Sequence, residues 1–116
     1  MRMWMVIPEL LCRRHLLGEH VETHMLAGSV RLGKTLDGFV SRGLVELDSL
    51  EERHGALAKE MSKRKYRHGS ALELPQSKLE RYRSRGTVDV IKSLRDLAGR
   101  CSDCADRIHK GRVTIL

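Results

Sequence analysis

The chain has 116 residues, with 22 Lys and Arg against 15 Asp and Glu, for a formal net charge of +7. That length allows one domain around one modest core and excludes a two-domain machine or a long repeat array. The aromatic residues Trp4, Phe39, Tyr66 and Tyr82, 3% of the chain, are too few to furnish both a core and an exposed stacking platform for single-stranded nucleic acid.

Residues 1–7 (MRMWMVI) are apolar except for Arg2 and too short for a helix, so they predict an extended arm with Trp4 as its core anchor. Pro8 suits the first position of a helix, where its missing N–H would be unpaired anyway. A first helix is expected from Pro8 to about Arg31, with Leu10, Leu16, Leu17, Val21 and Met25 as its apolar positions. A turn and a short helical piece follow around Thr35–Arg42. A second helix is predicted from Ser49 to Lys63, capped by Asp48 or Ser49, with Leu50, His54, Leu57 and Met61 inward. The basic stretch beyond it is broken by Gly69 and Pro75, with a short exposed helix over Lys78–Ser84. A third long helix fits Thr87 to Lys110, with Val90, Ile91, Leu94, Leu97, Cys101, Cys104 and Ile108 on its inward side. The tail after Gly111 is expected to add a strand-like contact. Nothing alternates with period two, so the expected fold is all-α: one domain, residues 1–116, of three main helices with the arm packed on the bundle.

No apolar run approaches the ~18–20 residues of a membrane helix. Pro8 and Glu9, followed by Arg13 and Arg14, argue against a cleaved leader. Three cysteines make no even disulfide framework, which suits a reducing, cytoplasmic compartment. The positive charge favours a polyanionic partner.

His15, Glu19 and Glu22 step by four and three, so a helix places them on one face. An imidazole and two carboxylates together have the parts for acid–base work; a solvated, mutually paired face is the alternative. Cys101-x-x-Cys104 has the spacing of half a zinc site, which His20 and His24 at i, i+4 would complete as Cys2His2. The competing reading makes Cys101 and Cys104 small apolar residues on a buried stripe.

The segment RRHLLGEHVETHMLAG, with the opening MRMW and the later YRHGSAL, resembles the pyrimidine dimer DNA glycosylases of the phage endonuclease V type. Arg2 matches an early Arg, Glu9-Leu10 a Glu-Leu pair, and His15-Leu16 a His-Leu pair. Glu19 and Glu22 fall at two Glu positions, with one extra residue between Leu10 and His15. The resemblance implies an N-glycosylase with AP (β-elimination) lyase activity on damaged or modified bases in double-stranded DNA. In that family the N-terminal α-amine attacks the sugar carbon that carries the base, forms an imine, and nicks the strand. The resemblance assigns Met1 as nucleophile and Glu22 as catalytic carboxylate. DNA contacts are expected at Arg2, His15 and Glu19 beside that centre, and, from their charge and position, at Arg13, Arg14 and the run Lys63, Arg64, Lys65, Tyr66, Arg67, His68. The choice of nucleophile is chemically reasonable, since an α-amine has a pKa of ~7.7–8 against ~10.4 for Lys. The implied enzyme needs no cofactor and no metal, and works as a monomer on duplex DNA, away from membranes, in a bacterial or phage-infected cell. Val21 and Met25 stand where better-known members carry Arg, and their aromatic C-terminal segment is absent, which points to a different damaged base. The alternative function is a small basic DNA-binding protein without chemistry.

Overall fold

Helical periodicity dominates the structure, a computed structural model that describes residues 1–67, 69 and 71–115, and of 112–115 the backbone alone. The order is a 3-10 turn (Pro8–Leu10), α1 (Arg13–Arg31), α2 (Asp37–Ser41), a second 3-10 turn (Leu47–Ser49) and α3 (Leu50–Lys63). Then come α4 (Gln76–Leu79), a third 3-10 turn (Glu80–Tyr82), α5 (Val90–Arg100) and α6 (Ser102–Ile115). No strand occurs among the described residues, so the all-α expectation holds. No described helix is long and apolar enough to cross a membrane.

Two expected helices are broken, and a cysteine sits at each break. Pro8 opens a 3-10 turn rather than the first helix, because Leu11 and Cys12 are extended. Cys12 then caps α1, its Sγ accepting the His15 N–H at 3.4 Å. The long third helix is interrupted at Cys101, which is extended at φ −138° and ψ 114°. Its Sγ accepts the Cys104 N–H at 3.5 Å, so α6 begins afresh behind a sulfur cap. Among the described residues the tail forms no strand, and α6 continues through Ile115. The second helix keeps its expected length, but neither Asp48 nor Ser49 caps it. The 3-10 turn runs straight into α3, leaving Asp48 to accept the Ser84 N–H and Ser49 to donate to Glu46.

The buried side chains form two apolar clusters. One gathers Met3, Leu26, Val30, Leu36, Val45, Leu47 and Leu50; the other gathers Trp4, Val6, Leu11, Leu16, Leu57, Met61 and Leu97. Leu16 and Leu57 share one cluster while Leu26 and Leu50 share the other, so α1 and α3 pack antiparallel. Between the clusters both helices bury polar residues: Glu19 and Thr23 from α1, Arg53 and His54 from α3. This polar layer explains a misreading of the pattern. Val21 and Met25, expected inward, are 55% and 52% exposed, because the buried stripe of α1 runs through Leu16, Glu19, Thr23, Leu26 and Val30. Val90 and Ile91 likewise face outward at the first turn of α5, whose buried positions are Ser93 and Leu97. The segment expected as an exposed helix over Lys78–Ser84 instead buries Leu79 and Tyr82, and the Tyr82 hydroxyl accepts the Leu36 N–H at 2.9 Å.

One glycine is fixed by sterics. Gly86 has φ +84°, and a Cβ there would lie 2.9 Å from Val40 Cγ1 and 3.0 Å from the Val45 carbonyl oxygen.

Candidate active site

The arm crosses the polar layer between α1 and α3 and is held there by backbone bonds. Met3 N–H donates to the Leu44 carbonyl at 2.8 Å, and Met3, Trp4 and Val6 are buried. Arg53 clamps the far end. Its Nε and Nη2 donate to the two carboxylate oxygens of Glu19 at 2.6 and 2.8 Å, and its Nη1 donates to the Val6 carbonyl at 2.5 Å. A planar guanidinium suits this two-oxygen grip on a carboxylate.

Glu22, one helical turn beyond Glu19, accepts the Arg2 N–H on Oε2 at 3.3 Å. Burial raises the Glu22 carboxyl pKa, and the Glu19 charge adds to that. The Arg2 N–H bond and the positive charge of the N-terminal amine oppose it. Glu22 therefore stands within the field of the amine, in a partly desolvated place where electrostatic effects are strong. The Arg2 side chain is fixed from two sides. Its Nη2 donates to Asp96 Oδ2 on α5 at 2.8 Å, and its guanidinium carbon lies 3.9 Å from the Trp4 ring centroid. These contacts bring the first two residues, α1 and α5 to one spot.

A pocket of ≈ 320 Å³ opens there, walled by Arg2, Trp4, Arg14, His15, Glu22 and Arg100. That is the lower end of the ~300–1,000 Å³ usual for small-ligand sites. Its rim is cationic, since Arg14 and Arg100 are exposed. Arg13, beside Arg14, lies over the Tyr66 ring at 4.8 Å, which joins the start of α1 to the basic segment after α3. In that segment Lys65 and Arg67 are exposed, and exposed Lys63 sits 3.9 Å from Glu9.

The expected DNA contacts thus divide. Arg13, Arg14, Lys63, Lys65 and Arg67 face solvent. Glu19 does not: it is 1% exposed and both its oxygens are taken up by Arg53, so it serves the arm. Arg64 is turned inward as well, bonded to Glu60 and to the carbonyls of Pro8 and Leu11. His15 lies on the pocket wall against the sulfurs of Cys12 and Cys104, and burial followed by the Arg14 charge lowers its pKa. His68 lies outside the described residues. Arg53, Asp96 and Arg100 went unremarked in the sequence. Only Arg53 had a signal, since it lies three after Leu50 and four before Leu57 on the inward stripe of α3.

Cys101 and Cys104 are buried, as the apolar-stripe reading has it, and the alternative Cys101–Cys104–His20–His24 grouping does not form. The His20 side of α1 faces α3, where His20, His24 and His54 meet with ring centroids 4.9–5.0 Å apart. Cys101 and Cys104 instead meet Cys12 and His15 at the other end of α1.

A family model described as pyrimidine dimer DNA glycosylase matches residues 1–74, which takes in the arm, α1, α3 and Glu22. No curated protein and no solved structure matches the chain.

Proposed function

The chain belongs to the pyrimidine dimer DNA glycosylase family, and from that premise we propose that it excises a damaged or modified base from duplex DNA with its own N-terminal amine and then nicks the abasic site. The observation that carries this reading is the Arg2 N–H bond to Glu22, which keeps the amine of the preceding residue beside a half-buried carboxylate.

The chemistry balances with these groups and water. The neutral Met1 amine attacks the sugar C1′; the glycosidic bond breaks, and its electron pair leaves with the base, which takes up a proton. Ionised Glu22 stabilises the cationic sugar as that bond lengthens, an interaction strongest in the transition state. Loss of the amine proton and opening of the sugar ring give an imine. A C2′ proton then passes to the Glu22 carboxylate, the C3′–O bond breaks, and the 3′ phosphate leaves with the pair. Hydrolysis of the imine returns the amine, with nothing oxidised or reduced. Around this centre Arg14, Arg100 and Arg13 meet the phosphates, which position a duplex without reading its sequence. Extruding a nucleotide into the pocket costs a few kcal/mol, which these contacts offset. In this reading the chain acts as a single-domain monomer in the cytoplasm.

Borohydride reduction in the presence of abasic duplex tests the proposal by freezing the imine as a stable amine. A covalent adduct mapping to residue 1, and lost when the α-amine is acetylated, is the expected result. An adduct that survives acetylation would move the nucleophile to a lysine, and no adduct would refute the amine mechanism.

A further inference from the structure

We propose that Cys12, His15, Cys101 and Cys104 form a structural zinc site that staples the start of α1 to the α5–α6 junction. Their ligand atoms lie within 4.8 Å of one another. Cys12 Sγ is 3.8 Å from Cys101 Sγ and 3.2 Å from His15 Nδ1, and Cys104 Sγ is 3.5 Å from the same nitrogen. A tetrahedral zinc with bonds of ~2.3 Å to sulfur and ~2.0–2.1 Å to nitrogen sets its ligands ~3.8 Å apart for S···S and ~3.6 Å for S···N. The observed separations are close to those values. A disulfide, at ~2.05 Å between sulfurs, fits neither the spacing nor the odd number of thiols.

The chain presents the four ligands as two matching halves. Cys12-x-x-His15 and Cys101-x-x-Cys104 each open a helix, α1 and α6, where free N–H groups and the helix dipole favour negative charge. Each first cysteine already receives a backbone N–H: His15 onto Cys12 Sγ at 3.4 Å and Cys104 onto Cys101 Sγ at 3.5 Å. The Cys12 N–H reaches Cys104 Sγ at 3.3 Å, crossing from one half to the other. Such outer bonds orient ligands and share their charge. Three thiolates, a neutral imidazole and a divalent cation leave one negative charge, and the Arg14 guanidinium lies 4.0 Å from Cys101 Sγ. All three cysteines are buried, so four protein ligands close the site and leave no place for substrate.

This revises the expectation that the chain carries no metal. It also gives the breaks at Cys12 and Cys101 a purpose, since continuous helices there would not present paired ligands. The staple ties the start of α1, with Arg14 and His15, to the junction beside Arg100, and so fixes one wall of the pocket. It stands whether or not the amine chemistry is right.

The test uses the full chain, refolded under reducing conditions with zinc or cobalt(II). One tightly held zinc per chain and the intense visible bands of tetrahedral cobalt–thiolate are expected. Both are lost in Cys101→Ser and Cys104→Ser. His15→Cys keeps metal and moves the spectrum to that of four thiolates, which covers the case in which the serine variants fail to fold. His24→Asn, in the separate histidine group, leaves the bands unchanged. The zinc-loaded chain melts higher than the same chain refolded without metal. Absence of the cobalt–thiolate bands in the unaltered chain, or their persistence in both serine variants, would overturn the site. Equal melting with and without zinc would overturn its structural role.

Discussion

Replacing Arg53 by Met should separate what holds the bundle from what holds the arm. The substitution removes three hydrogen bonds, two to Glu19 and one to Val6, and strands the Glu19 carboxylate at 1% exposure. Breaking a buried pair from one side costs ~3–5 kcal/mol, mostly the cost of an uncompensated charge. Against a typical domain stability of ~5–15 kcal/mol this is severe. At ~4 °C per kcal/mol for a chain of this size, melting should fall by ~12–20 °C. The double variant Glu19→Gln with Arg53→Met removes both charges and should recover all but ~1–2 kcal/mol, since well-packed neutral replacements of buried ion pairs are often tolerated. Strand cleavage should not recover with it, because the Val6 carbonyl still lacks its donor and the arm stays loose. Urea denaturation followed by circular dichroism, beside cleavage assays on the same preparations, reads both quantities. A single Arg53→Met variant within ~1 kcal/mol of the parent would refute the argument that this pair is desolvated and uncompensated when broken.

Glu22→Gln should lower strand cleavage by ~10³-fold while DNA affinity stays nearly constant, as fits loss of a transition-state interaction; gel-shift and nicking assays distinguish the two. Because burial raises the Glu22 pKa, the acid limb of the cleavage rate should lie above the ordinary glutamate range. The matching stability term is fully present below the unfolded glutamate pKa and is lost as pH rises through the folded one, so Glu22→Gln should flatten that part of the denaturation-midpoint profile. Asp96→Asn removes the charged partner of Arg2 and should cut kcat ~10-fold with little change in melting, since the pair is partly exposed. The Arg2 hydrogen bond depresses the Asp96 pKa, so this clamp is intact above the unfolded aspartate pKa and is lost as pH falls through the folded one. Gly86→Ala should cost about 2 kcal/mol from the left-handed backbone and the close Val40 and Val45 atoms; thermal melting checks it.

Local chemistry reads well from a sequence, and long-range pairing does not. Leu50, His54, Leu57 and Met61 recur at helical steps, and all four are buried on α3 as expected. Trp4 anchors the arm for the same reason, a large apolar ring in a short apolar run. His15, Glu19 and Glu22 could be placed on one face because their spacing is local to one helix, while the resemblance to a known family chose Glu22 among them. The failures have one physical source, polar side chains taken inside by partners far along the chain. Glu19 and Thr23 occupy buried positions on α1, which shifts the apparent stripe and turned Val21 and Met25 outward against expectation. Arg53 meets Glu19 across 34 residues and Asp96 meets Arg2 across 94, and no periodicity announces either pair. Which histidine lies beside the cysteines is not legible either, because it depends on which end of α1 meets the α5–α6 junction.

The arm also fixes a timetable. Its residues are made ahead of the partners that hold them: Leu44 for Met3, Arg53 for Val6, Asp96 for Arg2. At ribosomal speeds of ~5–20 residues per second, the 94 residues between Arg2 and Asp96 take ~5–20 s to appear. Through that interval the nascent chain can assemble α1 against α3 but cannot lock Arg2 in place. Completion of the pocket therefore waits for α5, and a ribosome stalled before α5 would hold a chain with its helical pair formed and its Arg2 clamp still open.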